Sequence, residues 1–149
     1  MSSSFLVRPA ERRDLANWAQ MRAELWPCSS RQEHLAELEE GSKSTSFRGW
    51  VALSDDRCIG FAEAYIRPFA NGCDSRPVVF LEGIWVGPDF RRFGVGRALV
   101  ESVAEWARAQ GIYELGSDAE LTNTLSQTCH LKWGFEETER VVYYRMKLR

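Results

Sequence analysis

The run VVFLEGIWV at 78–86 is apolar at every position except Glu82 and Gly83, and it leads past Pro88 into RRFGVGR at 91–97. It is the most strongly apolar segment of strand length in the chain, which predicts a central strand covered on both faces. Beyond it Val95, Leu99, Val103 and Trp106 recur at helical spacing until Gly111 ends the pattern. A strand, a glycine turn and a helix in that order commit the chain to an α/β class.

The remaining segments complete that class. SFLVRPA at 4–10 reads as a first strand, and Leu15, Trp18, Met21 and Leu25 mark a helix from Ala10 to Trp26 that Pro27 stops. RQEHLAELEE at 31–40 is a second, acid-rich helix whose carboxylates face either solvent or a cationic ligand. GWVAL at 49–53 and CIGFAEAYI at 58–66 form a hairpin around SDDR. IYELGS at 112–117 is a further strand, 122–133 a helix, and ERVVYYRMKL at 139–148 a closing strand or bent pair. No repeat or linker interrupts the order, so residues 1–149 are expected to form one domain with a mixed central sheet flanked by helices.

Composition excludes several classes. The chain is 44% hydrophobic and 27% charged with a formal net charge of −2, which argues against nucleic acid as the main partner. Cys28, Cys58, Cys73 and Cys129 are scattered without a CxxC or a nearby His pair, so no metal site is expected and the thiols are read as reduced. The N-terminus lacks a signal-peptide core, and no apolar run approaches the ~18 residues of a membrane span. The expectation is a cytoplasmic protein with no membrane partner.

In the turn, Gly94 and Gly96 stand where the backbone must bend sharply, and the helix that follows offers free N–H groups and a partial positive charge. Arg91, Arg92 and Arg97 add charge nearby. This suits a phosphate or pyrophosphate, although a lone GxG also occurs in ordinary strand-to-helix turns. A Walker loop is excluded because no Lys-Ser/Thr pair follows, and a dinucleotide fingerprint because position 99 is Leu rather than Gly.

The run VVFLEGIWVGPDFRRFGVGRALV, followed by a strand, Asn123 and a helix that exits at Gly134-Phe135, resembles the GNAT acetyltransferases. In that superfamily the [QR]-x-x-G-x-[GA] turn binds the pyrophosphate of acetyl-CoA. Longer strings resemble the aminoglycoside 6′-N-acetyltransferases in particular: LWP at 25–27, NGCDSRPVVFLEGI at 71–84, Ser117-Asp118, the Asn123–Gln127 segment and GFEETERVVYYR at 134–145. The likeness runs from Trp18 to Arg145 and implies the GNAT acyl-CoA N-acyltransferase fold, with acetyl-CoA as cosubstrate and a polycationic aminoglycoside as acceptor.

The resemblance implies direct transfer to an amine without an acyl-enzyme. An alkyl ammonium has a pKa of about 10, so a carboxylate or a water relay must take its proton. Glu82 stands alone among apolar neighbours in its strand and should face a polar cleft, unless an arginine pairs with it. Asp118 follows the fifth strand, where it also reads as a turn or N-cap residue. Both are assigned to the substrate amine, and which of them is the base stays open. Gly83 is the place for a kink that opens oxyanion donors.

By the same resemblance Trp26, Phe69 and Glu139 contact substrate, although the loop carrying Phe69 is one residue shorter than in the family. Packing is the other reading of Trp26, and a solvated acid that of Glu139. Ile84, Trp85 and Val86 would pair with pantetheine amides as a strand does. Arg92, Phe93, Gly94, Val95, Gly96 and Arg97 supply the pyrophosphate turn, and Asn123 either meets the pantetheine arm or caps its helix. One departure concerns the general acid: His130 stands seven residues after Asn123, where many relatives have tyrosine. That acid is therefore unassigned, with a helix-packed histidine as the alternative. The alternating segment RVVYYRMKLR can pair with a second subunit, and the family resemblance supports a homodimer. Two other functions stay open: acetylation of a different amine, such as a polyamine or a protein amino group, and a non-catalytic acyl-CoA-binding module.

Overall fold

The computed structural model describes residues 4–149, in two compact units, one ending at Asp118 and the other formed by Ala119–Arg149. The first unit holds a five-stranded sheet in the order β1 (Leu6–Pro9), β2 (Phe47–Ser54), β3 (Arg57–Arg67), β4 (Val78–Val86) and β5 (Leu115–Gly116). β1 to β4 pair antiparallel and β4–β5 parallel, which is the mixed sheet expected from the sequence. α1 (Leu15–Leu25) and α2 (Arg31–Gly41) precede β2, and α3 (Val95–Ala109) links β4 to β5.

Successive strand residues point to opposite faces, so neighbours on β2 show where the helices lie. Gly49 meets the Trp18 ring of α1, whereas Trp50 packs edge-on against Trp106 of α3 with centroids 5.6 Å apart. α1 and α3 therefore cover opposite faces. On the α3 side Val95, Leu99 and Val103 are buried, each contributing roughly 1.5–3 kcal/mol. On the α1 side Trp18 stacks on Phe47, and Phe47 in turn meets Tyr65.

Three expected elements differ. The first helix begins only at Leu15, after a 3-10 turn at Arg12–Asp14. Asp14 is buried there, pairs with Arg8 at 2.7 Å and accepts the Glu11 N–H at 2.7 Å, which ties the turn back to β1. The fifth strand shrinks from 112–117 to Leu115–Gly116, since only those two residues pair with β4, at Val79 and Phe80. The closing strand at 139–148 does not form. In the second unit α4 (Thr124–Lys132) is followed by chain without helix or strand from 135 onward. Val142, Tyr143, Tyr144, Met146 and Leu148 are all exposed there, and none of them pairs in a strand.

A Cβ at Gly49 would run into the six-membered ring of Trp18. Gly49→Ala must displace that ring from its Phe47 stack, and we expect a loss of about 1–3 kcal/mol in unfolding free energy, measured by urea denaturation.

Candidate acetyl-transfer site

The site is built on β4. Against β3 the strand is paired along its whole length, but Glu63 lies opposite Gly83 while Ala64 lies opposite Leu81. Glu82 is therefore an extra residue, a β-bulge in the middle of the strand. It bends β4 and turns the Glu82 side chain to the face that carries Arg67, whose Nε and Nη2 donate to its two carboxylate oxygens at 2.9 and 2.7 Å. The sequence reading placed Glu82 either in a polar cleft or in an arginine pair, and in this structure the pair is formed. Burial of the carboxylate is partial, with 22% of its side chain exposed.

Trp26 comes to the same place. A Cβ on Gly83 would strike its ring, so this wall of the cleft lies directly on the strand beside Glu82. Phe61 meets the ring edge-on at 6.4 Å, Arg22 covers it at 5.1 Å, and His34 Nε2 bonds the Trp26 carbonyl oxygen at 3.0 Å. Phe69 is 59% exposed in the loop before β4, with the Arg76 guanidinium 5.6 Å from its ring. Glu114 fastens that loop by accepting the N–H groups of Asp74 and Ser75 at 2.9 and 2.6 Å. Those bonds, led by the one from Ser75, hold the Glu114 carboxyl below the usual carboxylate range. Asp118 is exposed two residues past Gly116, which pairs with Phe80.

The opposite edge of β4 is open. Beyond Phe80 it pairs with no strand on the β5 side among the described residues. The Gly87 N–H donates to the Ile59 carbonyl at 2.8 Å, so by alternation Trp85 also turns its backbone toward β3. Ile84 and Val86 face the open edge, and Trp85 therefore drops out of the three residues expected to pair with pantetheine through their backbone. The Val86 carbonyl already accepts Arg91 Nε at 2.8 Å.

From that edge the chain enters the glycine turn. Arg92 has φ +70° and Gly94 φ +85°, and α3 starts at Val95, whose side chain is buried and anchors the turn. No protein atom lies within 4 Å of a Cβ built on Gly94, so within the fold glycine is needed there for its left-handed conformation. The N–H groups of a helix's first turn point out of its N-terminus, here at the glycine turn, and the helix dipole points at the same place. An open strand edge leading to a helix N-terminus fits the amide arm and pyrophosphate of acetyl-CoA.

In the second unit Asn123 caps α4, its Oδ1 accepting the Ser126 N–H at 3.1 Å. His130 lies between the rings of Trp133 and Phe135, with Nδ1 2.7 Å from the Ser126 carbonyl oxygen. Facing a carbonyl oxygen, Nδ1 is the donor of that contact. Glu139 is exposed.

Sequence reasoning missed a buried network beside Glu82. Glu63 is 2% exposed, accepts Trp18 Nε1–H at 2.8 Å and lies 3.4 Å from Arg22, which also reaches Glu37 at 3.1 Å. Burial pushes the Glu63 carboxyl up to about 7, against the opposing pull of Arg22 and the Trp18 bond. The signal was present in CIGFAEAYI, where Glu63 is a lone acid in an apolar strand, as Glu82 is in its own. Glu63, Glu37 and Glu40 line a cavity of about 340 Å³ walled by Phe47 and Tyr65. A larger depression of about 650 Å³ is lined by Asn17, Glu24, Arg57 and Trp85; neither cavity is lined by Glu82 or Trp26, and in the smaller one Arg22 joins the three carboxylates. Among the described residues no group of three His, Cys, Asp or Glu side chains is placed to hold a metal ion, and no helix is long and apolar enough to cross a membrane.

Residues 15–135 match the acetyltransferase (GNAT) family. Relatives named aminoglycoside N(6′)-acetyltransferase type 1 from Salmonella typhimurium and Klebsiella aerogenes are 44% and 45% identical. These alignments cover 95% and 99% of this chain and 98% and 100% of the relatives. A solved AAC(6′)-Iy structure in complex with CoA superposes with a TM-score of 0.93 at 42% identity, covering 99% of this chain and 98% of that one. AAC(6′)-Iy with the bisubstrate analog CoA-S-monomethyl-acetylneamine gives 0.92 at 43% identity, covering 98% and 100%. A transcriptional regulator from Bacillus halodurans C-125 shares the fold, with a TM-score of 0.80 at 16% identity and coverage of 96% and 100%.

The raised Glu63 carboxyl means that the folded chain binds a proton more tightly there than the unfolded chain, so its contribution to stability falls as pH rises from about 4.5 to about 7. Glu63→Gln removes the titration and keeps an acceptor for Trp18. Its stability relative to the parent should rise across that window by on the order of 2–3 kcal/mol and stay level above pH 8, as read from urea melts at pH 5 and 8.

Proposed function

The chain belongs to the GNAT acetyltransferase family, and on that premise we propose that it transfers an acetyl group from acetyl-CoA to the 6′-amino group of aminoglycosides, directly and without an acyl-enzyme. The carrying observation is the arrangement at β4, where a bulged Glu82 and the Trp26 ring on Gly83 share the strand that opens its other edge at Ile84 and Val86. The shared name of the relatives supplies the substrate class. Such an enzyme acts in resistance by removing a cationic group from the drug.

Ile84 and Val86 offer backbone groups to the pantetheine arm, and Arg92, Phe93, Gly94, Val95, Gly96 and Arg97 form the pyrophosphate turn. Bound there, acetyl-CoA supplies the acetyl thioester. Glu82 and Asp118 hold the acceptor's ammonium groups, and one of them takes the proton that the reacting amine must lose, directly or through water. Trp26 and Phe69 give flat faces to the sugar rings, while the adjoining cavity offers the carboxylates of Glu37 and Glu40, with Arg22 paired to Glu37 and Glu63 in its lining. Asn123 and Glu139 are assigned to cosubstrate and substrate on the family resemblance.

We read residues 1–149 as one functional domain of a cytoplasmic enzyme that works as a homodimer. Support for the dimer comes from the C-terminal segment, where Tyr144 and Leu148 are 91% and 86% exposed and alternate with polar residues as a strand does.

Purified protein with acetyl-CoA should release CoA on kanamycin or tobramycin and acetylate a 6′-amino compound but not its 6′-hydroxy analogue. No release on either drug overturns the assignment. Sedimentation velocity should show a dimer at micromolar concentration and a monomer after deletion of residues 140–149; a monomeric parent contradicts the dimer.

A further inference from the structure

We propose that Arg67 is a specificity-determining residue: its guanidinium occupies the place of a substrate ammonium on Glu82, and only a polycationic acceptor displaces it effectively. The inference rests on the reading of Glu82 as a substrate-amine residue.

Arg67 ends β3, and its fork engages both carboxylate oxygens of Glu82, at 2.9 and 2.7 Å. Those are the oxygens an incoming ammonium needs, so arginine and substrate compete for one carboxylate. Glu82 does not depend on the pair for its position. It is a bulge residue, and the backbone on either side is pinned to β3, Leu81 opposite Ala64 and Gly83 opposite Glu63. Arg67 can also leave easily. Its side chain is 39% exposed, and its guanidinium carbon lies 3.8 Å from the centre of the Phe80 ring, a seat that remains when the carboxylate is given up.

Electrostatics then determine which amines succeed. With Arg67 in place the pair is neutral, so a singly charged amine exchanges one cation for another at Glu82 and gains little. An acceptor with further ammonium groups also reaches the cavity on the same sheet face, where Glu37 and Glu40 are lined up with Glu63 against the single guanidinium of Arg22, and the exchange becomes favourable. Arg67 thereby disfavours small monoamines more than it disfavours the polycation.

The test uses the full-length protein, Arg67→Met with Arg67→Gln as a second variant, and initial rates on kanamycin and on 6-amino-6-deoxyglucose. KM for both acceptors should fall, more for the monoamine, so that the kanamycin-to-monoamine ratio of kcat/KM drops roughly tenfold. KM for acetyl-CoA should not change. Millimolar guanidinium chloride should inhibit the variants competitively against the amine and leave the parent unaffected. A rise in KM for kanamycin, or recovery of lost rate on adding guanidinium, would overturn the proposal and make Arg67 a clamp that orients Glu82. Glu82→Gln separates the two layers. If it leaves amine kinetics intact, the Glu82 reading itself fails; if it lowers kcat/KM on kanamycin while Arg67→Met leaves KM unchanged, only the role of Arg67 is lost.

Discussion

One extra residue in β4 organises the first unit. Without the bulge at Glu82, strict two-residue alternation would keep Glu82 and Gly83 on opposite faces of the sheet. With it, the carboxylate and the glycine that receives Trp26 share the face covered by α1. The bulge remains supported because the ladder to β3 is continuous on both sides, so local distortion costs little cooperativity. The other edge, where the ladder to β5 stops after two residues, is left for a ligand.

Much of this was legible in the sequence because it rests on local rules. β4 has the bounds its apolar run predicts, the hairpin turn falls within the expected SDDR, and the glycine turn leads into α3 as its helical spacing requires. The features that escaped are non-local. A bulge depends on how two strands match in register, which no pattern within VVFLEGIWV reveals. The Arg67–Glu82 pair joins residues fifteen positions apart across a loop, and many arginines were available to choose from. The last strand failed for a related reason: RVVYYRMKLR has the alternation of a strand, but alternation does not provide a neighbour.

Glu63 and Glu82 carry the same sequence signal, each a lone acid in an apolar strand. The structure gives them different surroundings. Glu82 stays partly in water against a fork of donors, whereas Glu63 is sealed beneath Trp18 and Arg22 and shifted toward the neutral form. Arg22 links that buried acid to Trp26, so a charge below the surface bears on a ring that walls the cleft.

The open stretch of β4 carries a hazard as well as a binding mode. An apolar strand with one bare edge is a template on which another extended chain can add, and segments of this composition are those most prone to intermolecular pairing. Two devices at its end restrain this. Arg91 closes the Val86 carbonyl, and Pro88, lacking an N–H, stops the ladder two residues later. What remains between them and β5 is a short gap, long enough for the amide arm of a small cosubstrate and too short to recruit a foreign strand securely. Occupancy by that cosubstrate would then protect the protein from self-association in addition to supplying its reaction.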